Sequence, residues 1–166
     1  MTPIEGVKRG LIVGIIGTAV MTAAQELYGR VLAADGDSGG DEQEQGSPWE
    51  QASAPAKVGK RILEGVFKQE VGEDLIGPLT HGMHWGYGTA NGVAFGVLQP
   101  SLGDTHPIRN GLGFGAAVMA SSYVQLVPMG LYEPPWNYSL RMLTTELGFH
   151  LAYGLGVGLG WVLVAD

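Results

Sequence analysis

Cysteine is missing from the 166 residues altogether. That excludes disulfides, thiolate metal sites, iron–sulfur clusters and the c-type attachment of haem. Charge is scarce as well: only 15% of residues are Asp, Glu, Lys or Arg, and just 9 residues are Lys or Arg. Nucleic-acid phosphates demand clustered basic side chains, so no nucleic-acid partner is expected. The net charge of −7 describes one acidic stretch, AADGDSGGDEQEQGSPWEQ (33–51), more than a whole surface. No Ser or Thr sits in a recognisable nucleophile motif, which disfavours a hydrolase. The Glu-x-x-His spacing of carboxylate-bridged metal bundles is also absent.

Glycine and long apolar runs take the place of what is missing. The 28 glycines are more than twice the roughly 7% usual in proteins. A bilayer core about 30 Å thick needs about 20 helical residues, and four stretches qualify: 10–28, 75–98, 108–132 and 140–165. A soluble α-bundle of this size needs polar outer faces, which the third and fourth stretches lack. The expectation is an all-α, polytopic membrane protein, one domain of four transmembrane helices in a Gly-rich bundle, with the lipid bilayer as its first partner. Pairs such as Gly10/Gly14, Gly82/Gly86, Gly111/Gly115 and Gly154/Gly158, and the run Gly88/Gly92/Gly96, have the small-xxx-small spacing that lets helix backbones approach closely in lipid.

The first span also fits a cleaved signal peptide, with Lys8 and Arg9 ahead of an apolar run and small residues at Thr22–Ala24; we expect it to be retained. Residues 30–54 have the composition of a disordered or loosely held loop. Residues 55–72 place Val58, Ile62, Val66 and, one position off, Phe67 on one helical side, with Lys57, Lys60, Arg61 and Lys68 mostly elsewhere. This reads as an amphipathic interfacial helix, with ordinary packing on protein as the alternative. The positive-inside rule would make this long loop cytoplasmic and leave both termini outside.

A faint internal repeat accompanies the layout. HWGYGTANG (84–92) and HLAYGLGVG (150–158) both read His-x-x-Tyr-Gly-x-x-x-Gly, and AVMTAAQ (19–25) resembles AVMASSYVQ (117–125) with a two-residue slip. Two related helical hairpins would produce this pattern.

Alternating span direction allows depth to be read from position. Gln25 and Glu26 end the first span, while His81 and His84 begin the second at the same side. Gln125 is late in the third, Glu146 early in the fourth, and His150 near mid-depth. Rotation by about 100° per residue puts His81, His84 and Asn91 on one face and Glu146 with His150 on another. The expectation is one intramembrane polar cluster in one half of the bilayer, the other half being nearly all Gly, Ala, Val, Leu and Phe. Ionisable groups inside a membrane are costly, about 2.5–3.5 kcal/mol each on insertion scales, and default to a functional reading. A carboxylate–imidazole cluster suits proton or cation handling. His81, His84, Glu146 and His150 are also candidate ligands for a transition metal, and two of the histidines for haem. The cofactor is left open, as is the choice between a homo-oligomer and an accessory subunit of a larger membrane complex.

The segment VPMGLYEPPWNYSLRMLTTELGFHLAYG (127–154) resembles the C-terminal signature of the YagU-like family of small bacterial inner-membrane proteins. The matching positions are Pro128, Gly130, Leu131, Pro134, Pro135, Trp136, Glu146 and His150. An acidic residue closing the first span, Glu26, and a histidine opening the second, His81 or His84, fit as well. The resemblance implies a multi-pass inner-membrane protein connected with acid resistance, and it implies no particular biochemical activity.

Overall fold

The computed structural model describes residues 2–34, 46–102 and 106–165. Among these it is all-helical, as the apolar periodicity requires. Helix α1 runs Pro3–Ala34, α2 Pro48–Gln51, α3 Ala54–Gly65, α4 Ile76–Leu102, α5 Pro107–Leu126 and α6 Leu140–Ala165. The chain divides into two compact units, residues 1–28 with 87–166, and residues 29–86. Each is described by itself.

Helix α1 begins on a reciprocal cap. The Thr2 N–H donates to Glu5 Oε2 at 2.7 Å and the Glu5 N–H to Thr2 Oγ1 at 3.3 Å, satisfying amides that a helix start leaves without partners. In the larger unit, glycines let the helices meet backbone to backbone. A Cβ added at Gly10 would lie 2.6 Å from Val93 Cα of α4, and one at Gly14 would lie 3.0 Å from Gly92 Cα. The α5·α6 pair does the same, a Cβ at Gly111 falling 2.9 Å from Gly158 Cα. Gly92 and Gly158 occupy matching places in the His-x-x-Tyr-Gly-x-x-x-Gly pattern, so the repeated sequence makes repeated contacts. Helix α1 also meets α6, where a Cβ at Gly156 would lie 2.8 Å from Gly17 Cα.

Large side chains fill the space between these contacts. Val13, Phe95, Val118, Tyr153, Val157 and Trp161 form the core. Phe95 meets Phe114 at 5.3 Å and Trp161 at 5.9 Å, both edge-on, the arrangement that sets a positive ring edge against a negative face. Between α5 and α6 the chain turns at Gly130, whose φ of +64° suits a residue without a Cβ. Its N–H donates to Val127 O and that of Leu131 to Leu126 O, satisfying the end of α5.

In the smaller unit, Ser53 caps α3 by accepting from the Ala56 N–H, and its hydroxyl shares a 2.9 Å hydrogen bond with Thr80. Helix α3 presses its glycine against the first turns of α4: a Cβ at Gly59 would lie 2.9 Å from Leu79 Cδ2 and 3.1 Å from Met83 Cγ. In the short α2, the Glu50 carboxylate accepts from the Ser47 N–H at 2.6 Å, and that bond holds it below the usual carboxylate range.

Several expected boundaries move. Of the 30–54 stretch, residues 30–34 continue α1 and Pro48–Gln51 form α2, while 35–45 lie outside the described residues. The helix expected over 55–72 stops at Gly65, and Lys68 adopts a left-handed conformation with φ of 56°. Each expected span falls on a long helix, although the third, expected over 108–132, stops at Leu126; among the described residues only α1 and α6 are long and apolar enough to cross a membrane by length and composition. Helices α4 and α5 dilute their apolar content with glycine and with His, Asn, Gln and Ser side chains.

The glycine contacts are directly testable. Gly10→Ala should lower the thermal stability of purified protein in detergent by about 1–3 kcal/mol, the usual cost of overpacking. Gly113, which has nothing within 4 Å of an added Cβ, is the control: Gly113→Ala should be neutral or stabilise by up to about 1 kcal/mol through helix propensity. Equal effects would mean that the close α1·α4 approach is absent.

Candidate functional site

Polar side chains of the larger unit gather where α5 ends and α6 begins. Tyr123, buried on α5, donates its hydroxyl to Glu146 Oε2 at 2.6 Å. Glu146 and His150 stand one turn apart on α6, both half-buried. The His150 Nδ1 lies 2.8 Å from the Glu146 carbonyl. A carbonyl can only accept, so Nδ1 carries the proton, and in the neutral ring Nε2 keeps its lone pair.

The α5–α6 turn covers this group with two more phenols. Tyr132 and Tyr138 stand 5.4 and 6.0 Å, ring centre to ring centre, from Tyr123. Tyr138 is fixed by accepting the Glu133 N–H at 3.0 Å. Burial, followed by the nearby Glu146 carboxylate, pushes the Tyr132 phenol up to about 12. A second polar group centres on Tyr87, which shares a 3.4 Å hydrogen bond with Ser121 and accepts from Gln125 Nε2 at 3.3 Å. Asn91, half-buried, donates back to the Tyr87 carbonyl at 2.9 Å. Tyr153, matching Tyr87 in the repeat, donates to the Gly88 carbonyl at 2.7 Å.

Of the expected eight residues, four in the larger unit divide between these two hydrogen-bonded groups. Glu146 and His150 belong to the Tyr123 group, and Asn91 and Gln125 to the Tyr87 group. Gln25 is half-buried and Glu26 exposed on α1, as its rotation of about 100° from Gln25 allows. His81 is exposed and His84 half-buried, both in the smaller unit. Among the described residues no three His, Asp or Glu side chains converge to hold a metal ion. The candidate ligand set of His81, His84, Glu146 and His150 is thus not assembled as a metal centre.

The other end of the bundle also departs from expectation. Gln99 on α4 is 0% exposed, and its Oε1 accepts from Asn110 Nδ2 of α5 at 3.2 Å. Arg9 lies over the Trp161 ring, 6.0 Å from its centre, near the same end. This half is not purely apolar. Gln99 fell one residue past the expected end of the second span and so looked like part of a loop. Tyr123 was hidden for another reason: a phenol in an apolar run reads as packing unless a carboxylate at equal depth on the next span is noticed.

Comparison with known proteins returned no match, whether to family models, to curated proteins or to solved structures.

The buried amide pair yields a stability test. Asn110→Ala removes a donor to the buried Gln99 oxygen and should cost about 1–3 kcal/mol. Gln99→Leu combined with Asn110→Leu should recover part of that loss, because it removes the buried Gln99 amide together with its Asn110 donor. Chemical denaturation in detergent measures both; a double variant no better than Asn110→Ala would remove the pair from the account.

Proposed function

We propose that this chain is a four-span inner-membrane protein that takes up a proton or a small cation at Glu146 from one face of the bilayer. The membrane half of this reading rests on an inverted pattern of size. Gly10, Gly14, Gly17, Gly92, Gly111 and Gly158 point inward, while Leu11, Ile12 and Ile15 of α1, and Leu155, Leu159 and Leu163 of α6, are exposed. Val97 and Leu98 of α4 and Val124 of α5 continue the pattern. In water this would be a large apolar patch without a purpose; in lipid it is the ordinary outer face of a helix bundle. Trp136, 81% exposed in the α5–α6 turn, suits the headgroup level where Trp is enriched.

The chemical half rests on Glu146. Among the described residues it is the one half-buried carboxylate. At about 1.5 Å per residue it lies roughly 9 Å along α6 from Leu140. Tyr123 holds one carboxylate oxygen by donating to it, and the His150 Nε2 supplies a second proton-accepting atom one turn away. A carboxylate in such a place is costly to keep unless it is used.

A second reading, packing against another membrane helix, is favoured by one feature of α4. Gly82 and Gly86 have nothing within 4 Å, and Ala90 and Ala94 extend the same exposed small-residue spacing. Stoichiometric copurification of another chain that is lost in Gly86→Leu would support it.

Flux measured in proteoliposomes under a proton or monovalent-cation gradient decides the first reading. Glu146→Gln should reduce flux to background, His150→Ala should reduce it strongly, and the double variant should fall little below either. A double-mutant cycle should show coupling of about 0.5–3 kcal/mol, as for residues in contact. Wild-type protein that passes no ion under any gradient would sink proton and cation handling.

A further inference from the structure

The C-terminal end of α3 is exposed in an unusual way. Val66 is 71% and Phe67 63% exposed, and Ile62, one turn before Val66, is 39% exposed. These are adjacent large apolar side chains, not scattered ones. Gly59, earlier on the same side of α3 at about 100° per residue, packs on Leu79 and Met83, and Ile62, Val66 and Phe67 continue that side into the exposed helix end. That contact sets a level: the helix lies beside the first turns of α4, where the chain enters the second proposed span. The exposed residues therefore sit at the depth of a membrane surface if α4 crosses one.

The local backbone holds them there. The Phe67 N–H donates to Ile62 O at 3.4 Å and the Gln69 N–H to Leu63 O at 3.1 Å, wrapping the helix end. Lys68 follows Phe67 in the left-handed region, with φ of 56°, which costs a side-chain-bearing residue energy and turns the chain sharply after the phenylalanine. The polar flank faces away: Lys60 pairs with Glu64 at 3.9 Å and lies 4.4 Å from the centre of the Trp49 ring. Arg61 and Lys68 border the apolar edge in sequence, alongside Glu64 and Glu70.

We propose that Ile62, Val66 and Phe67 form a membrane-surface anchor that inserts at the headgroup–acyl boundary, with Arg61 and Lys68 set against anionic lipid phosphates. An amphipathic segment with an apolar edge and flanking basic side chains is bound by these two forces together. The anchor rests on the membrane reading of α4 and α6, so its test must separate the two.

The absence of cysteine makes single-site labelling clean. Full-length Phe67→Cys, Glu64→Cys and Leu155→Cys, each carrying an environment-sensitive fluorophore, are reconstituted into phosphatidylcholine vesicles with and without phosphatidylglycerol. All three positions are exposed, so labelling leaves the packing alone; circular dichroism checks this. The label at 155 should be quenched by deep spin-labelled lipid, that at 67 by shallow spin-labelled lipid with a blue shift, and that at 64 by aqueous quencher only. Phosphatidylglycerol should strengthen the signal at 67, and Arg61→Gln with Lys68→Gln should remove that gain. A lipid-quenched label at 155 with a water-quenched label at 67 overturns the anchor and leaves the membrane reading standing. A label at 155 that lipid never quenches overturns both. A lipid-quenched label at 67 that ignores phosphatidylglycerol overturns the role of Arg61 and Lys68.

Discussion

Two helix backbones touch only where neither carries a side chain at the crossing, and the larger unit is organised by that constraint. Gly10 and Gly14 against Val93 and Gly92, and Gly111 against Gly158, bring the helices so close that ordinary side chains have no room between them. Close backbones give many small dispersion contacts over a long seam, which matters most where a solvent provides no hydrophobic drive between helices. Everything larger is displaced to the corners. Phe95, Phe114 and Trp161 occupy one such space, and the aliphatic side chains of α1 and α6 are turned outward.

Much of this was legible because glycine spacing is periodic and periodicity survives without a structure. The pairs at 10/14, 111/115 and 154/158 all become contacts, and the His-x-x-Tyr-Gly pattern marks equivalent positions in two hairpins. Gly82/Gly86 has the same spacing and meets nothing, since spacing says that a helix is smooth but not what lies against it. Helix ends were harder. Ala34 and Gln99 both lie beyond the expected limits of their spans, because hydropathy reports where residues turn polar and not where hydrogen bonding stops.

The candidate site shows the same division. Glu146 lies early in α6 and His150 near its middle, and their spacing of one turn is a property of the chain itself. Partner choice was not legible, because it depends on rotation and tilt between helices. Glu146 is served by a phenol from α5, while on α4 Asn91 donates to the Tyr87 carbonyl and Gln99 accepts from Asn110. The outcome is two small hydrogen-bonded groups, each with one tyrosine at its centre. A tyrosine can hide a hydrophobic ring in the bundle while presenting one polar atom, which suits it to this work between apolar helices.

The two glycine seams differ in the length of chain that joins them. Helices α5 and α6 are connected by the single turn at 127–139, so their faces meet almost as soon as α6 is made. Helix α1 is synthesised before α4, and its glycine face stays bare until residues 29–86 and the rest of α4 have followed it. Extra chain between two contacts adds only slowly to the equilibrium cost of closing them, but it lengthens the interval before closure during synthesis. The price of the 29–86 segment is thus one of timing: a nascent α1 whose narrow face is open to any other small-faced helix it meets.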